Sequence, residues 1–339
     1  MAPRKSASTK STSTSSTSSA ASALPAASSW FESELNERVV SEKLVSSSSW
    51  ASAYKYETES GKAYFVKTSL GRDEKMFAAE AAGLAALSAA AASSSSSSPS
   101  LVIPKPLHAG PLPGSKGGSF IVMEHLNLGG GGKGGLSQEE LGVALARLHL
   151  APPPTSSSPP RFGFFLDNFI GGNSQPNGWS DSWIEFYREK RLKHMLRLVG
   201  RPGSEVNRMG KKLCDNLEKF FEDVVVVNDS GDESHRITPS LIHGDLWSGN
   251  IAVVGSSAWS ILDPAPYYAH HEAEFGMSWC AGLGPGFWKG YRSVLPEAPG
   301  FAKRRPLYEL YHILNHAVLF GGGYLGQAEG LLRTLTREL

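Results

Sequence analysis

The segment formed by residues 240–250 constrains the possible fold of this chain more than any other. It reads Ser-Leu-Ile-His-Gly-Asp-Leu-Trp-Ser-Gly-Asn, so that Asn250 follows Asp245 five positions later. A short apolar run then leads to Asp263, within Ile-Leu-Asp-Pro-Ala. Phosphoryl transfer from ATP needs an Asp that orients the acceptor hydroxyl, and an Asn and a second Asp that hold the metal bridging the phosphates. The spacing Asp-x-x-x-x-Asn is that of the protein-kinase catalytic loop, and we therefore predict a kinase.

Two differences from protein kinases narrow this prediction. His-Gly-Asp replaces His-Arg-Asp, and Asp-Pro-Ala replaces Asp-Phe-Gly. The missing Arg is the residue that would bind the phosphate of a phosphorylated activation loop. The motif therefore favours a kinase for a small molecule. A His-Gly-Asp motif by itself is often only a turn, in which Gly takes a positive φ. The later Asn and Asp, and the apolar strand pattern before each Asp, favour the catalytic interpretation.

The residues that handle the nucleotide phosphates are expected upstream. Residues 53–57 and 63–67 have the pattern of two strands, and the polar residues 59–62 between them predict a hairpin. Beyond it, apolar residues at helical spacing predict a helix that carries Glu80. A kinase needs a strand Lys on the phosphates that is anchored by a helix Glu, and Lys67 with Glu80 fits this pair. The alternative is a surface Lys and a solvated Glu.

A second apolar strand, residues 119–123, runs into Glu124, His125 and Leu126 and then into a glycine tract. In a bilobal kinase the chain crosses between the lobes at this point, and its backbone hydrogen-bonds adenine. Because the contacts with adenine are made by the backbone, the residue types at the hinge identify it poorly. The prediction therefore depends on the position of the strand between Lys67 and the catalytic loop. We predict that these three residues form the adenine-binding hinge.

With these motifs the chain resembles the fructosamine-3-kinase (ketosamine kinase) family, which is similar in fold to the aminoglycoside phosphotransferases. The resemblance extends from about Trp30 to the C-terminus and is most specific at 243–250 and 272–277. Other matching stretches are 64–67, 120–125, 162–164, 175–179, 182–192, 263–265 and 307–316.

The fold that this resemblance implies is α+β and bilobal, like a protein kinase, with a small β-rich N-lobe and a larger, mainly helical C-lobe. We expect a disordered leader at 1–29, the N-lobe at 30–123, and the hinge with its glycine-rich linker at 124–135. The C-lobe, with the catalytic loop and the acceptor site, is expected at 136–339.

The reaction that the resemblance implies is phosphorylation by ATP and Mg²⁺ of the 3-hydroxyl of a ketosamine, the Amadori product of a sugar and an amine. The product then decomposes by elimination and frees the amine. Fructosamine, ribulosamine and erythrulosamine remain open as acceptors, on glycated proteins or on small molecules. Two alternatives also remain open: another small-alcohol kinase of this fold, choline- or aminoglycoside-type, because fold does not choose the acceptor, and a weakly active, nucleotide-binding pseudokinase.

The resemblance assigns roles by position. Asp245 is the expected catalytic base, and Asn250 and Asp263 are the expected metal ligands. Lys67 and Glu80 act on the nucleotide phosphates, and residues 124–126 bind adenine. Trp247 and His243 are the expected acceptor contacts, with core packing as the alternative for Trp247.

The nucleotide loop departs from the family pattern. Ketosamine kinases usually have a Gly-rich turn between their first strands, and some carry a Cys there, but residues 46–52 read Ser-Ser-Ser-Ser-Trp-Ala-Ser. Ser disfavours the positive φ that Gly allows, so we expect weaker nucleotide binding and no redox switch in this loop. The chain has only two cysteines, Cys214 and Cys280, which argues against a disulfide framework and for a reducing compartment.

Charge and composition exclude several classes of protein. The chain has 33 Lys and Arg against 32 Asp and Glu, so no basic surplus indicates nucleic acid or an anionic membrane as a partner. No apolar run is expected to reach the ~18 residues of a membrane helix. His312 with His316, and His270-His271-Glu272, lack the ligand pattern of a metal site. We expect a monomer or a weak dimer.

Residues 1–29 have Arg4, Lys5 and Lys10, no acidic residue, and abundant Ser, Thr and Ala. This composition resembles an organelle transit peptide, plastid before mitochondrion, and the alternative is a plain disordered tail of a cytosolic protein. Residues 88–100, an Ala run followed by poly-Ser, are expected to be an extended helix end and then a flexible insertion, and the glycine tract 129–135 follows the hinge outside the fold. Ser137 and Glu140 predict a capping box at the start of the next helix.

Overall fold

The structure, a computed structural model, describes residues 24–70, 75–94, 101–129, 136–153, 160–224, 226–227, 233–234, 237–255, 258–337 and 339. Most of the predicted leader, the poly-Ser segment and the glycine tract after the hinge lie outside these residues.

The N-lobe is a five-stranded antiparallel sheet between two helices, with strand order β1-β2-β3-β6-β5. Its elements, together with the short β4, are α1 (Leu24–Leu35), β1 (Val39–Ser47), β2 (Ser52–Thr58), β3 (Ala63–Ser69), α2 (Lys75–Ser94), β4 (Leu101–Val102), β5 (Pro106–Pro111) and β6 (Ser119–Glu124). The predicted hairpin is β2–β3, in which Tyr54 pairs with Val66.

The side chains of these strands alternate between the two helices, as the period of a strand requires. Tyr56, Val66 and Val122 are buried with the helix α1, whereas Ile121 and Met123 are buried with α2. The sheet therefore has one apolar core on each face.

The start of the folded region corrects the boundary predicted at residue 29. Helix α1 begins at Leu24, and Ala27 and Phe31 are fully buried against the sheet. Phe31 lies within the predicted N-lobe, whereas Ala27 was missed because it is a small residue in a stretch that has the composition of the leader.

Helix α2 also corrects an expectation. Within the described part of the chain, residues Lys75–Ser93 form a helix that is long and apolar enough to cross a membrane by length and composition. Its residues Phe77, Leu84 and Leu87 are buried in the protein core, and it carries Glu80 into the cleft. The packing identifies it as a core helix of the N-lobe, whose Ala-rich sequence accounts for its hydropathy.

The C-lobe is mainly helical. Its elements are α3 (Gln138–Leu150), β7 (Asn168–Ile170), β8 (Asn173–Gln175), α4 (Trp183–Phe186), α5 (Lys193–Val199), α6 (Glu205–Asp215), β9 (Val226–Val227), β10 (Glu233–Ser234), β11 (Ser240–Ile242), β12 (Ile251–Val254), β13 (Ala258–Ile261), β14 (Tyr267–Ala269), α7 (Pro285–Val294), α8 (Phe301–Phe320) and α9 (Gly323–Leu335). The predicted capping box is present at the start of α3, where Ser137 and Glu140 bond each other's backbone N–H groups.

Two antiparallel strand pairs position the catalytic residues. Strand β11 pairs with β14, and β12 pairs with β13. The catalytic loop connects β11 to β12, and the segment with Asp263 connects β13 to β14, so the two loops emerge side by side. Strand β4 of the N-lobe adds to β13 in parallel and joins the lobes next to the site.

Candidate active site

Lys67 lies at the centre of the cleft between the lobes. Its Nζ donates to Glu80 Oε1 at 2.8 Å and to Asp263 Oδ1 at 2.5 Å. Burial alone lowers the pKa of the Lys67 amine, but the charges of Asp263 and Glu80 outweigh it and raise the pKa above its ordinary value. The amine is therefore charged. The strand Lys and helix Glu that the sequence predicted are paired.

Asp245 and Asn250 face each other across the catalytic loop. The Asn250 amide Nδ2 donates to the Asp245 carbonyl at 2.9 Å and lies 3.4 Å from its carboxylate Oδ2. Burial, with the negative charges of Asp263 and Glu274, raises the pKa of Asp245 to about 7. The crowding of carboxylates creates a site that favours cations.

The buried carboxylate of Glu274 bonds the backbone of the catalytic loop. Its Oε2 accepts the His243 backbone N–H at 2.6 Å, and its Oε1 accepts that of Gly244 at 3.0 Å. His149 Nε2 lies 3.1 Å from Oε2, and His149 Nδ1 lies 2.8 Å from the Tyr291 hydroxyl. Burial raises the pKa of Glu274, but these hydrogen bonds outweigh it and lower the pKa below its ordinary value. A buried, ionised carboxylate therefore fixes the backbone that delivers Asp245.

The structure buries the His243 side chain, and it lines neither cavity of the cleft, so nothing here supports its predicted role as an acceptor contact, which stays a prediction. Its side chain is fully buried, and burial lowers its pKa, so the ring is neutral. Nε2 donates to the Leu262 carbonyl at 2.8 Å, and Nδ1 accepts the Asp245 N–H at 3.3 Å. His243 is thus a bridge between the two catalytic loops. A motif alone does not show on which side of the loop its side chain lies.

Gly244 allows the two catalytic loops to approach closely. Its φ is +82°, and a Cβ there would lie 2.1 Å from the Ala265 carbonyl oxygen. The Ala265 N–H in turn donates to the His243 carbonyl at 2.9 Å. A side chain at this position would separate Asp245 from Asp263.

Asp263 stands at the start of a segment that has few backbone donors. Its φ is +54°, a strained value for a residue other than Gly. Pro264 and Pro266 follow and lack an N–H. Side chains of the β7–β8 hairpin satisfy the carbonyls of this segment: Gln175 donates to Ala265 at 3.0 Å, and Asn168 donates to Pro266 at 2.9 Å.

A buried polar network extends behind this hairpin. Gln175 donates to Asn168 Oδ1 at 2.7 Å and accepts from the Tyr311 hydroxyl at 2.5 Å. Asn177 also donates to Asn168 and accepts from the fully buried Arg191 at 2.6 Å. The Arg191 guanidinium lies 3.8 Å from the centre of the Tyr267 ring, just beyond the Asp263 segment. The network therefore supports this segment along its length.

The cleft contains two adjoining cavities. The inner one, about 300 Å³, is lined by Lys67, Asp245 and Asp263, among others. The outer one, about 380 Å³, is lined by apolar side chains and by residues 124–128. Glu124, His125 and Leu126 thus lie at the edge of an apolar cavity next to the catalytic residues, the position that the sequence predicted for the hinge.

Trp247 lies in the inner cavity beside Asp245 and is 41% exposed. Its ring lies directly against Gly249, where an added Cβ would lie 2.3 Å from the nearest ring atom. The spacing Trp-x-Gly in the catalytic loop therefore holds this ring in place without burying it. This geometry disfavours the core-packing alternative.

The Ser-rich nucleotide loop does not need glycine. Among the described residues other than Gly, a positive φ occurs only at Asn36 and Asp263, so residues 46–52 adopt ordinary backbone conformations. The Ser48 N–H donates to the Ala51 carbonyl at 2.8 Å, and the Ser48 hydroxyl accepts the Ala51 N–H at 3.1 Å. The expected conformational penalty of Ser in this loop is therefore absent.

The residues present fit a hard divalent cation. Asn250 uses its amide nitrogen within the loop, which leaves its oxygen as a ligand, and Asp263 adds a carboxylate. By contrast, His270, His271 and Glu272 come close enough for a metal, but Arg304 takes both carboxylate oxygens of Glu272 at 2.6 and 2.7 Å. That cluster is a buried ion pair.

Fold and site together define a phosphotransferase of the kinase-like class. Comparison with the ternary complex of streptomycin, ATP and the aminoglycoside phosphotransferase APH(2″)-IIa supports the fold: the TM-score is 0.55 at 12% identity, over 90% of this chain and 94% of that one. A fructosamine-3-kinase candidate from Haemophilus somnus 129PT superposes with a TM-score of 0.72 at 21% identity, over 92% and 97%.

Sequence comparison is more specific. Residues 25–338 match the profile of the family described as fructosamine kinase. The chain is 43% identical over 286 residues to the chloroplastic protein-ribulosamine 3-kinase of Arabidopsis thaliana, which covers 84% of this chain and 79% of that protein. The chain belongs to the fructosamine kinase family. This confirms the family and the fold that the sequence predicted, and membership in a kinase family implies the use of ATP.

Sequence reasoning missed the residues that support the site. Glu274, Gln175 and Asn177 fall within stretches that matched the family, but the match gave them no role. Their residue types follow no catalytic spacing, and the sequence shows neither their burial nor their partners.

Proposed function

We propose that this protein transfers the γ-phosphoryl group of ATP to the 3-hydroxyl of ketosamines. The observation that most supports this proposal is that one cavity is lined by Lys67, Asp245, Asn250 and Asp263. Glu80 lines it too and is bonded to Lys67. The protein-ribulosamine 3-kinase of A. thaliana, at 43% identity, supports the acceptor class.

In this reaction the 3-hydroxyl gives its proton to the Asp245 carboxylate as its oxygen bonds to the γ-phosphorus. The bond from that phosphorus to the oxygen of the departing ADP breaks. Lys67 binds the phosphates, and Glu80 fixes its position. Asn250 and Asp263 would hold Mg²⁺, which would supply charge neutralisation in a transition state that needs positioning more than covalent chemistry.

The acceptor lies on the Trp247 side of Asp245, and adenine lies in the outer cavity against residues 124–126. The apolar lining of that cavity supports adenine binding, because a purine ring gains from burial among such side chains. The exposed Trp247 ring offers a face to the C–H groups of a sugar.

The product carries a phosphate next to a carbonyl carbon, so it loses phosphate by elimination and releases the amine. The protein thereby reverses glycation of amines on proteins. The ion pairs of Lys67 with Glu80 and Asp263 argue against the pseudokinase alternative, and the ordinary backbone of the Ser-rich loop removes the main reason for that alternative.

A panel of fructosamine, ribulosamine and erythrulosamine, each on the ε-amine of lysine, tests the proposal with ATP and Mg²⁺. Phosphorus NMR should show a sugar 3-phosphate. Asp245→Asn should keep the fold and lower turnover by about 10²-fold or more, the scale of a lost general base. Near-normal turnover of Asp245→Asn, or phosphorylation of choline or aminoglycosides in place of ketosamines, would contradict the assignment.

We further propose a plastid as the location. The A. thaliana relative is named chloroplastic, and residues 1–23 have the basic, acid-free, Ser-rich composition of a transit peptide. Reducing sugars and their phosphates in a plastid form ketosamines there, which gives a repair kinase its substrate.

A further inference from the structure

Five aromatic side chains form a continuous surface at the mouth of the cleft, here called the aromatic rim: Trp50, Trp279, His316, Phe320 and Tyr324. Their ring centres follow one another at 6.4 Å from Trp50 to Phe320, 5.6 Å from Phe320 to His316, and 6.0 Å from His316 to Trp279. Tyr324 lies 4.9 Å from His316. Trp279 is 44% exposed and Phe320 56%. Contiguous exposed aromatic surface of this kind marks a binding site more often than a stability element.

The rim is continuous with the catalytic cavity at both ends. Trp50 lines the inner cavity together with Asp245 and Trp247. At the other end, the Ser248 N–H donates to the Cys280 carbonyl at 3.2 Å, so the residue after Trp279 is bonded to the residue after Trp247. Burial, with the negative charge of Asp245 second, raises the pKa of the Cys280 thiol to about 11, which also places this segment near the reaction centre.

The rim adjoins the inner cavity, which Trp247 also lines, and does not adjoin the adenine cavity, although Trp50 itself belongs to the nucleotide loop. The outer, adenine cavity is bounded by residues 124–128, and neither Trp247 nor any of the five rim residues lines it. A molecule whose hydroxyl reaches Asp245 past Trp247 therefore continues outward over the rim.

The chemistry of the rim suits an aliphatic ammonium group. The nitrogen of a ketosamine is a secondary amine, which is protonated at neutral pH. Aromatic faces attract such cations, and alkyl chains pack on them. Burial lowers the pKa of His316, so this ring is neutral and adds no repelling charge.

We propose that the aromatic rim binds the amine-bearing part of the substrate, namely the lysine side chain and neighbouring peptide that carry the ketosamine. This inference rests on the proposed ketosamine kinase function and adds the part of the substrate that the catalytic residues do not contact. The rim would make the enzyme prefer ketosamines on peptide lysines over the same sugar on a small amine.

Two acceptors with the same sugar test this inference: ribulosamine on the lysine of an acetylated tripeptide, and ribulosamine of methylamine. For Trp279→Leu we expect KM for the peptide acceptor to rise about tenfold, the scale of a lost aromatic contact. KM for the methylamine acceptor and for ATP should change less than about twofold, and kcat should persist. Trp279→Phe, which keeps a ring, should restore most of the peptide KM.

The matched control is Phe165→Leu, because Phe165 is 60% exposed and lies outside both cavities and the rim. Phe320→Leu is a second test at the end of α8 and should behave like Trp279→Leu, so the inference stays testable if one variant fails to fold. Equal effects on both acceptors, or no effect on either, would overturn the role of the rim. An unaltered enzyme that phosphorylates neither acceptor would instead refute the proposed function.

Discussion

Lys67 shows how a single residue holds the site together before nucleotide binds. Its buried amine spans Glu80 on α2 and Asp263 on the loop after β13, so one cation joins both lobes. An unpaired buried charge is costly, which makes each carboxylate necessary to the amine. Asp263 is also one of the two proposed metal ligands, so the proposed metal site and the Lys67 ion pair share one carboxylate.

This arrangement makes Lys67 and Glu80 a unit. We expect Lys67→Ala and Glu80→Ala each to lower kcat/KM for ATP at least about tenfold. The double variant should lose much less than the sum of the two free-energy changes, because the second change removes a contact that is already lost. The four proteins are compared in one kinetic cycle. Fully additive losses would show that the residues act separately.

At the scale of single residues, the sequence predicted the residues whose chemistry is tied to spacing. Asp245, Asn250 and Asp263 were predicted because phosphoryl transfer fixes both their types and their separation, and the structure brings all three to one cavity, while their roles stay predictions. The sequence could not place the His243 side chain, because its surroundings depend on which way the ring points. The His-Gly-Asp motif reads the same whether the His ring is exposed or, as here, buried between Asp245 and Leu262.

Among the elements, the β7–β8 hairpin supports the segment that follows Asp263. Two prolines in this segment lack an N–H, and Ala265 between them donates its N–H to the His243 carbonyl. Gln175 and Asn168 donate to the Ala265 and Pro266 carbonyls of the segment. Tyr311 fixes the Gln175 amide, and Arg191 fixes that of Asn177, which donates to Asn168. Where a protein kinase has Asp-Phe-Gly, this chain has a segment whose carbonyls accept hydrogen bonds from the side chains of a neighbouring hairpin.

If the hairpin positions Asp263, Gln175→Leu should weaken the response to Mg²⁺. We expect the Mg²⁺ concentration for half-maximal rate to rise about tenfold, and the free energy of unfolding to fall by about 1–3 kcal/mol from unsatisfied buried groups. The control is Asn173→Ala, on the same hairpin, whose amide bonds Asn315 and not the Asp263 segment. It should leave the Mg²⁺ dependence unchanged.

Loss of stability in Gln175→Leu with an unaltered Mg²⁺ dependence would show that the hairpin has only a structural role.

The β7–β8 hairpin itself was not predicted from the sequence. Its strands have three residues each, and Asn-Ser-Gln and Asn-Phe-Ile carry no alternating pattern. In contrast, β2, β3 and β6 were predicted because each has a longer apolar pattern that matches the two cores of the N-lobe.

At the scale of the whole molecule, the lobes are joined by more than the hinge. Strand β4 pairs with β13, Lys67 bonds Asp263, and Trp50 from the nucleotide loop lies 6.4 Å from Phe320 at the end of α8. These contacts join residues that are far apart in the chain. Hydrophobic periodicity predicts helices and strands, but it does not predict which distant residues contact each other. The bilobal fold was predicted through the family resemblance, whereas the contacts that close it needed the structure.

The N-terminal boundary is the part of the molecular organisation that the structure moves most. The aromatic ring of Phe31 lies 5.5 Å from Tyr56 and 5.1 Å from Tyr64, inside the outer core of the sheet. Helix α1 therefore covers a face that would otherwise expose these aromatic residues. A leader that ends at residue 29 would cut this helix in two.

Two truncations separate the leader from the folded domain. Deletion of residues 2–23 should leave kinase activity on ketosamines and the thermal midpoint unchanged, because α1 stays complete. Deletion of residues 2–37 should lower the midpoint strongly, and Phe31→Ala alone should cost about 3 kcal/mol or more of unfolding free energy, as for a buried Phe. In plant cells, residues 1–23 with a short flanking segment, fused to a fluorescent protein, should direct it to plastids. A diffuse cytosolic signal would contradict the transit-peptide prediction, and loss of activity in the shorter deletion would place the start of the domain before Leu24.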